Sequence, residues 1–492
     1  MIERWSRDQV LALAPDAASR SAAQKVAAPG KWSACGTTGT VVYGECEGSG
    51  ARPYLACVDL TEPAYRCSCP SRKFPCKHAL GLLLMWAADG VPVEQGAPQW
   101  VTEWVEARAE RAAKEAAKIE EARTRKAAEV SSGEADGGAP GGGAPDGGAP
   151  GDGAHGAGRS GGSSRSGAES VRHGRVAAGL SELERWLDDQ VRQGLAGAAE
   201  HEWEGLAKRL IDAQAPGVAG VVSRLVRVRA DDDWPGRLLE EYALIHLLAV
   251  AYRRRAELPG ALAETVLSRV GFPVPKEEVL AGAAVRDQWD VLGRRDEEQD
   301  RLTSRRVWLR GRRSGRAALV LSFAPQGQPL DASLVTGTTI EADLTYYPGA
   351  APLRALVATR HGPGATDAMR SGPGAGGAAW PASGADDAAR YGSGAGGAVA
   401  GTPPGVSPEQ ALDEVAGVLG EDPWTESWPL VLAGVVPGRD SIGGLPLHRA
   451  ARDPWRLIAV SGGHPVTVAV EWTPRGLRPL TTWDDEGTAV IL

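Results

Sequence analysis

Four soft ligands fall within the segment Tyr65-Arg66-Cys67-Ser68-Cys69-Pro70-Ser71-Arg72-Lys73-Phe74-Pro75-Cys76-Lys77-His78, spaced Cys-x-Cys-x6-Cys-x-His. Side chains alternate along an extended chain, so Cys67 and Cys69 point the same way. The six-residue loop then lets Cys76 and His78 return from the start of a helix. Three thiolates and an imidazole suit a zinc ion, at about 2.3 Å to sulfur and about 2.0 Å to nitrogen. Four protein ligands leave no coordination position for water or substrate, so the expected zinc is structural. Neighbouring Cys-x-Cys residues make a strained disulfide, and no His or carboxylate is spaced as a partner for a nucleophilic cysteine. The zinc reading therefore stands over the redox and nucleophile readings.

Arg66, Arg72, Lys73 and Lys77 surround these ligands. They can offset the single negative charge of a three-thiolate zinc cluster and lower the thiol pKa values. The same four residues could instead contact phosphates of DNA. Residues 1–90 carry 10 Lys/Arg against 8 Asp/Glu, a nearly neutral balance. Cys35, Cys46 and Cys57 lie outside the ligand spacing and read as packing residues.

The elements that position the site follow from pattern. Ser6 with Gln9 forms a capping box and Asp16 caps a second turn, giving two short helices before residue 27. From Thr40 to Cys69 the runs TVVYGEC, YLACVDL and AYRCSC read as a small antiparallel sheet. HALGLLLMWAADG then carries apolar residues at helical spacing up to Gly90. A compact β-β-α zinc unit is the result.

With these ligands on the page, the segment resembles the SWIM zinc finger, over roughly Tyr54 to Ala88, and is similar to the SWIM-finger proteins of actinobacteria. The resemblance implies a DNA-binding or protein-binding module. Stand-alone bacterial members of this size further imply a protein partner of the AAA+ ATPase class, MoxR type.

The expected fold class is α+β multidomain: the N-terminal zinc unit with flanking helices, a helical region, and a strand-rich C-terminal region, joined by Gly-rich linkers. At 492 residues the chain should hold about two to four units. The N-terminal domain spans 1–130, with the finger core at about 54–90 and a long helix at 100–130. A flexible Gly/Ala/Pro linker covers 131–173. Residues 174–361 read as helices followed by strands from about Ser304, and 362–405 as a Gly-rich low-complexity insertion or linker. An α+β region, 406–492, ends the chain, with WPLVLAGVV, WRLIAV, PVTVAVEW and TAVIL as strands. Asp-Pro-Trp at 422–424 and 453–455 suggests a weak repeat before two of them. The Trp residues read chiefly as strand core, and His246, His448 and His464 as structural or exposed.

The net charge of -8 argues against global attraction to nucleic acid. The skew toward Ala, Gly, Arg and Pro reads as coding bias. All six cysteines cluster between Cys35 and Cys76, and MIERWSRDQVLALAPD lacks the form of a signal peptide, so metal is favoured over disulfides and a cytoplasmic location is expected. No apolar window reaches membrane-helix length. No phosphate-binding loop, nucleophile elbow or zinc-protease helix is present, and no small-molecule substrate is indicated. The expected function is a zinc-binding, non-enzymatic adaptor for protein interactions. The alternative is DNA binding through the basic finger loop.

Overall fold

The computed structural model describes residues 4–48, 52–71, 73–133, 161–197, 200–230, 233–299, 302–325, 328, 330–361, 401–451 and 454–492. Two short helices open the fold. In α1 (Arg7–Ala12) the Ser6 and Gln9 side chains close the capping box, and in α2 (Ala17–Val26) Asp16 caps the Ser19 N–H. A four-stranded antiparallel sheet follows in chain order, β1 (Trp32–Thr37), β2 (Val41–Cys46), β3 (Tyr54–Asp59) and β4 (Ala64–Cys67). Its first strand is one more than the pattern predicted, because Ser33, Ala34 and Cys35 lack a clear apolar alternation.

Helix α3 (Lys77–Ala87) is apolar on every face and buried from His78 to Trp86, as such a helix must be. Both α1 and α2 pack onto it. At Gly81 an added Cβ would lie 2.6 Å from Val26, so a side chain there would force α2 away. The first turns of α4 (Gln99–Gly133) bury Val101 with Val41, Tyr43 and Cys57 on the other face of the sheet. The described side chains beyond Arg108 are exposed.

Helices α5 (Gly161–Gln193), α6 (Glu200–Asp212), α7 (Pro216–Val228), α8 (Trp234–Arg253) and α9 (Gly260–Val270) share one core around Trp203, Leu206, Leu225 and Tyr252. The short α10 (Lys276–Leu280) leads into the strands. The linker expected over 131–173 is helical at both described ends, up to Gly133 in α4 and from Gly161 in α5. Residues 134–160 lie outside the described residues.

A closed five-stranded barrel comes next, ordered β5 (Ala284–Gln299), β6 (Leu302–Gly311), β7 (Ala317–Pro325), β9 (Arg354–Arg360), β8 (Thr339–Tyr346). All pairings are antiparallel except β7 with β9. The strands thus begin at Ala284, twenty residues before the expected start. Strand β5 is dense in charge, but its charges are partnered: Asp290 with Arg312 at 2.8 Å and Asp296 with Arg305 at 2.7 Å. Its bulge lies between Val291 and Gly293, where a Cβ would meet Leu480 at 2.6 Å.

Helix α11 (Pro408–Glu421) precedes β10 (Trp428–Val435), the two-residue pair β11 (Ser441–Ile442) and β12 (Leu445–Pro446), α12 (Pro454–Ser461), β13 (Val466–Thr473), β14 (Gly476–Trp483) and β15 (Ala489–Ile491). The last sheet runs β10-β13-β14-β15. WRLIAV is helix α12, not a strand: Pro454 starts it, only Leu457 and Ser461 are buried, and Gly462 and Gly463 end it at positive φ. The two Asp-Pro-Trp segments therefore lead into different structures, and Asp453 lies outside the described residues. Trp424 docks into the helical core, its indole donating to the Leu244 carbonyl at 2.9 Å, while Trp455 is exposed. Of the Gly-rich stretch, 362–400 lies outside the described residues, and Gly401 accepts from Arg312 at 3.2 Å.

The parts are packed together. Leu292, Trp308 and Leu319 of the barrel share a core with Val431, Ala469, Leu480 and Trp483 of the last sheet. The 330–338 loop buries Ala332 and Val335 in the N-terminal core, and Gln9 donates to the Thr336 carbonyl at 3.1 Å. No described helix is long and apolar enough to cross a membrane.

His448 is buried, with the Ala450 N–H 2.9 Å from Nδ1 and the Arg478 guanidinium 2.9 Å from Nε2, and a neutral imidazole accepts a hydrogen bond from one of the two. Burial first, then the charges of Arg478, Arg475, Arg295 and Arg237, hold its pKa down to about 4. The unfolded chain takes up a proton near pH 6.5 while the folded chain stays neutral to about pH 4, so acidification across this window removes stability. The loss should approach about 3 kcal/mol, measurable as a falling urea midpoint, and His448→Gln should flatten that slope. An equally steep slope in the variant would refute the assignment.

Candidate metal centre

Strand β4 ends on Cys67, paired opposite Ala56. Ser68 prolongs the ladder by one residue: its N–H donates to the Leu55 carbonyl at 3.0 Å and its hydroxyl accepts from the Leu55 N–H at 2.9 Å. That extension keeps the chain straight enough for Cys69 to follow Cys67 to one side. In the loop, Ser71 bonds to both backbone groups of Lys73, and Phe74 meets Tyr65 edge-on with centroids 5.8 Å apart. Cys76 is the N-cap of α3 and His78 sits in its first turn.

The ligand atoms of Cys67, Cys69, Cys76 and His78 all lie within 4.8 Å of one another, with Cys67 Sγ 3.6 Å from His78 Nδ1. A tetrahedral site with bonds of about 2.3 Å requires donors about 3.7 Å apart, so the cluster matches the dimensions of zinc. Cys76 and His78 are buried, and Cys67 and Cys69 half-buried. The Tyr54 ring stacks on His78 at 4.7 Å and fixes the imidazole plane. Nothing in the spacing pointed to Tyr54, which lies 24 residues before His78 in the chain.

The three thiols act unequally on one another. Cys76 is drawn down to about 4, first by the Cys67 thiol and then by His78 and the Ala79 N–H at the helix start. Cys67 is pushed up by donating that hydrogen bond and by burial, and Cys69 by burial. Zinc, when bound, supplies a cross-link between the sheet and α3. Its uptake requires the protons still held by Cys67 and Cys69 to leave.

The other cysteines take no part. Cys46 and Cys57 are buried and Cys35 is half-buried; burial pushes all three thiols up, Cys57 to about 12. The basic residues are less free than their spacing suggested. Lys73 pairs with Asp16 at 2.6 Å and, by that contact first, holds the Asp16 carboxyl at about 2. Arg66 donates to the Trp100 carbonyl at 3.4 Å, Lys77 is exposed, and Arg72 lies outside the described residues.

Two sequence families account for the site and for the helical region. The SWIM zinc finger matches residues 57–87, and the SWIM-associated four-helix bundle domain matches residues 171–270. No curated protein and no solved structure matches the chain. The first match encloses all four zinc ligands and the second covers most of α5 and all of α6–α9, in the same chain. The chain therefore carries a SWIM zinc finger together with a SWIM-associated four-helix bundle domain.

Proposed function

We propose that this chain is a zinc-stabilised, non-enzymatic adaptor whose four-helix bundle docks a protein partner, an AAA+ ATPase of MoxR type being the candidate. The observation that carries the reading is the solvent side of α8. Its inner side fills the bundle core with Leu238, Tyr242, Ile245 and Leu248, yet Leu239 and Leu247 remain 50% and 43% exposed, with Ala243 between them. Positions 239, 243 and 247 form one stripe at helical spacing. Glu240, His246 and Arg253 edge it with polar groups. An apolar stripe rimmed by polar groups is what a partner helix or groove requires.

DNA contact through the finger loop is the weaker reading, because Lys73 would have to leave Asp16 and Arg66 the Trp100 carbonyl. The test is titration of the zinc-loaded protein with a purified MoxR-type ATPase from the same source by calorimetry. The pair Leu239→Glu and Leu247→Glu should weaken binding at least about tenfold without changing zinc content. Wild type that ignores the ATPase, yet shifts duplex DNA in a manner lost with Lys73→Ala, would reverse the assignment.

A further inference from the structure

The barrel offers a second surface, distinct from the finger and from the α8 stripe. Its order β5-β6-β7-β9-β8, with only β7 and β9 parallel, is that of the barrels whose second and third strands and last hairpin loop bind oligonucleotides or oligosaccharides. Topology alone assigns no ligand; the side chains must. The pairs Ser304 with Phe323, Arg306 with Leu321, and Trp308 with Leu319 set one row of side chains on the outer face of β6 and β7. Trp308 and Leu319 are covered by the C-terminal sheet. Beyond them the cover ends, leaving Phe323 54% and Leu302 45% exposed.

At that edge a cleft of about 290 Å³ opens between Arg306 and Leu321, the β8–β9 loop from Tyr347 to Arg354, and Arg269 of α9. The Arg354 guanidinium lies 4.1 Å over the Tyr347 ring. Among the described residues it makes no ion pair, and the carboxylate paired with Arg306, Glu297, stands 3.9 Å away. The acidic groups of the cleft have partners other than Arg306 and Arg354: Asp422 pairs with Arg269 of the cleft at 3.0 Å and Glu426 with Arg224 outside it at 3.3 Å. The cleft therefore presents two weakly neutralised guanidinium groups beside the Tyr347 ring, and exposed Phe323 lies farther along the same β7 row. Phe323 lies four positions along the strand from Leu319, the register partner of Arg354, so about 13 Å of strand lies between the two ends.

From this geometry we infer that the β6–β7 face and its cleft form a binding site for single-stranded nucleic acid. Phe323 and Tyr347 stack unpaired bases, and Arg306 and Arg354 meet the phosphates between them. A duplex hides its base faces in the stack. A sugar chain would use the rings but not the arginine pair, and an acidic peptide the arginines but not the rings.

The test uses the full-length, zinc-loaded protein and fluorescence anisotropy with a labelled single strand of about 15 nucleotides, against the same sequence as a duplex. The single strand should bind more tightly, with affinity that falls as salt rises. Phe323→Ala should weaken binding about fivefold or more, and Phe323→Trp should restore it. Arg354→Ala should also lower the slope of affinity against salt. Unchanged thermal midpoints verify that these exposed positions leave the fold intact. No single-strand binding at low salt, preference for the duplex, or binding indifferent to both Phe323→Ala and Arg354→Ala would overturn the inference.

Discussion

Replacing Cys76 by Ser is expected to take the protein from about one zinc per chain to almost none and to open the N-terminal unit from the ligand loop outward. Cys76 is at once a ligand, the N-cap of α3 and the most acidic of the three thiols. Its loss removes the cross-link between β4 and α3 and leaves Cys67 and Cys69 facing His78 without a cation to share. The stability lost should exceed about 3 kcal/mol. It should not spread evenly. From Ala79 to Trp86 helix α3 is buried against α1, α2 and the sheet, and each fully buried Leu contributes about 1.5–3 kcal/mol. The helix body should therefore outlast its first turn. Elemental analysis reads the metal, and hydrogen exchange should quicken first over 67–78 and later over 80–87. His78→Ala should behave alike, whereas Lys77→Ala should keep its zinc. A Cys76→Ser protein with full zinc and unchanged exchange would refute the site.

The second large effect lies far from the zinc. Glu471 on β13 is 2% exposed and faces two arginines: Arg295 of β5, in very close contact, and Arg478 of β14 at 3.5 Å. Arg295 also lies 5.6 Å over the Trp308 ring, so this carboxylate ties the barrel to the C-terminal sheet. Glu471→Gln keeps the shape but leaves two guanidinium charges at a largely buried junction. Removing one partner from a buried ion pair costs about 3–5 kcal/mol. Both arginines retain partial exposure, 27% and 24%, and the attendant hydration places the expected loss near the lower figure. Urea denaturation measures it. Combining Glu471→Gln with Arg295→Gln should recover part of the loss, because one stranded charge is gone. A single variant within about 0.5 kcal/mol of wild type would show that the network contributes nothing net.

The zinc ligands were legible because their chemistry is local. Four donors within twelve residues need only a strand end, a loop and a helix start, and each announces itself by alternation, by Pro and Ser, and by an apolar run. The capping box at Ser6 is likewise a local event, closed by Gln9 three positions on. The basic loop misled for the opposite reason. Lys73 looks free in the sequence, and its partner Asp16 stands 57 positions earlier.

Strand β5 was not legible as a strand because a charged segment reads as surface until its counter-ions are known. Arg312 and Arg305 belong to the neighbouring hairpin, and only the folded register brings them to Asp290 and Asp296. WRLIAV failed differently: a short apolar run has no period of its own, and the helix is set by Pro454 at its start and Gly462 and Gly463 after its end.

By itself, then, the sequence determined the metal, its four ligands, the short helices around them and the helical character of the middle of the chain. All of these rest on interactions between residues a few positions apart. Tertiary structure alone decided that the finger packs on a barrel, that Tyr54 backs His78, that Lys73 is engaged, and that Arg306, Tyr347 and Arg354 border one cleft. Those relations join residues tens to hundreds of positions apart, where no local period or spacing carries information about which surfaces will meet.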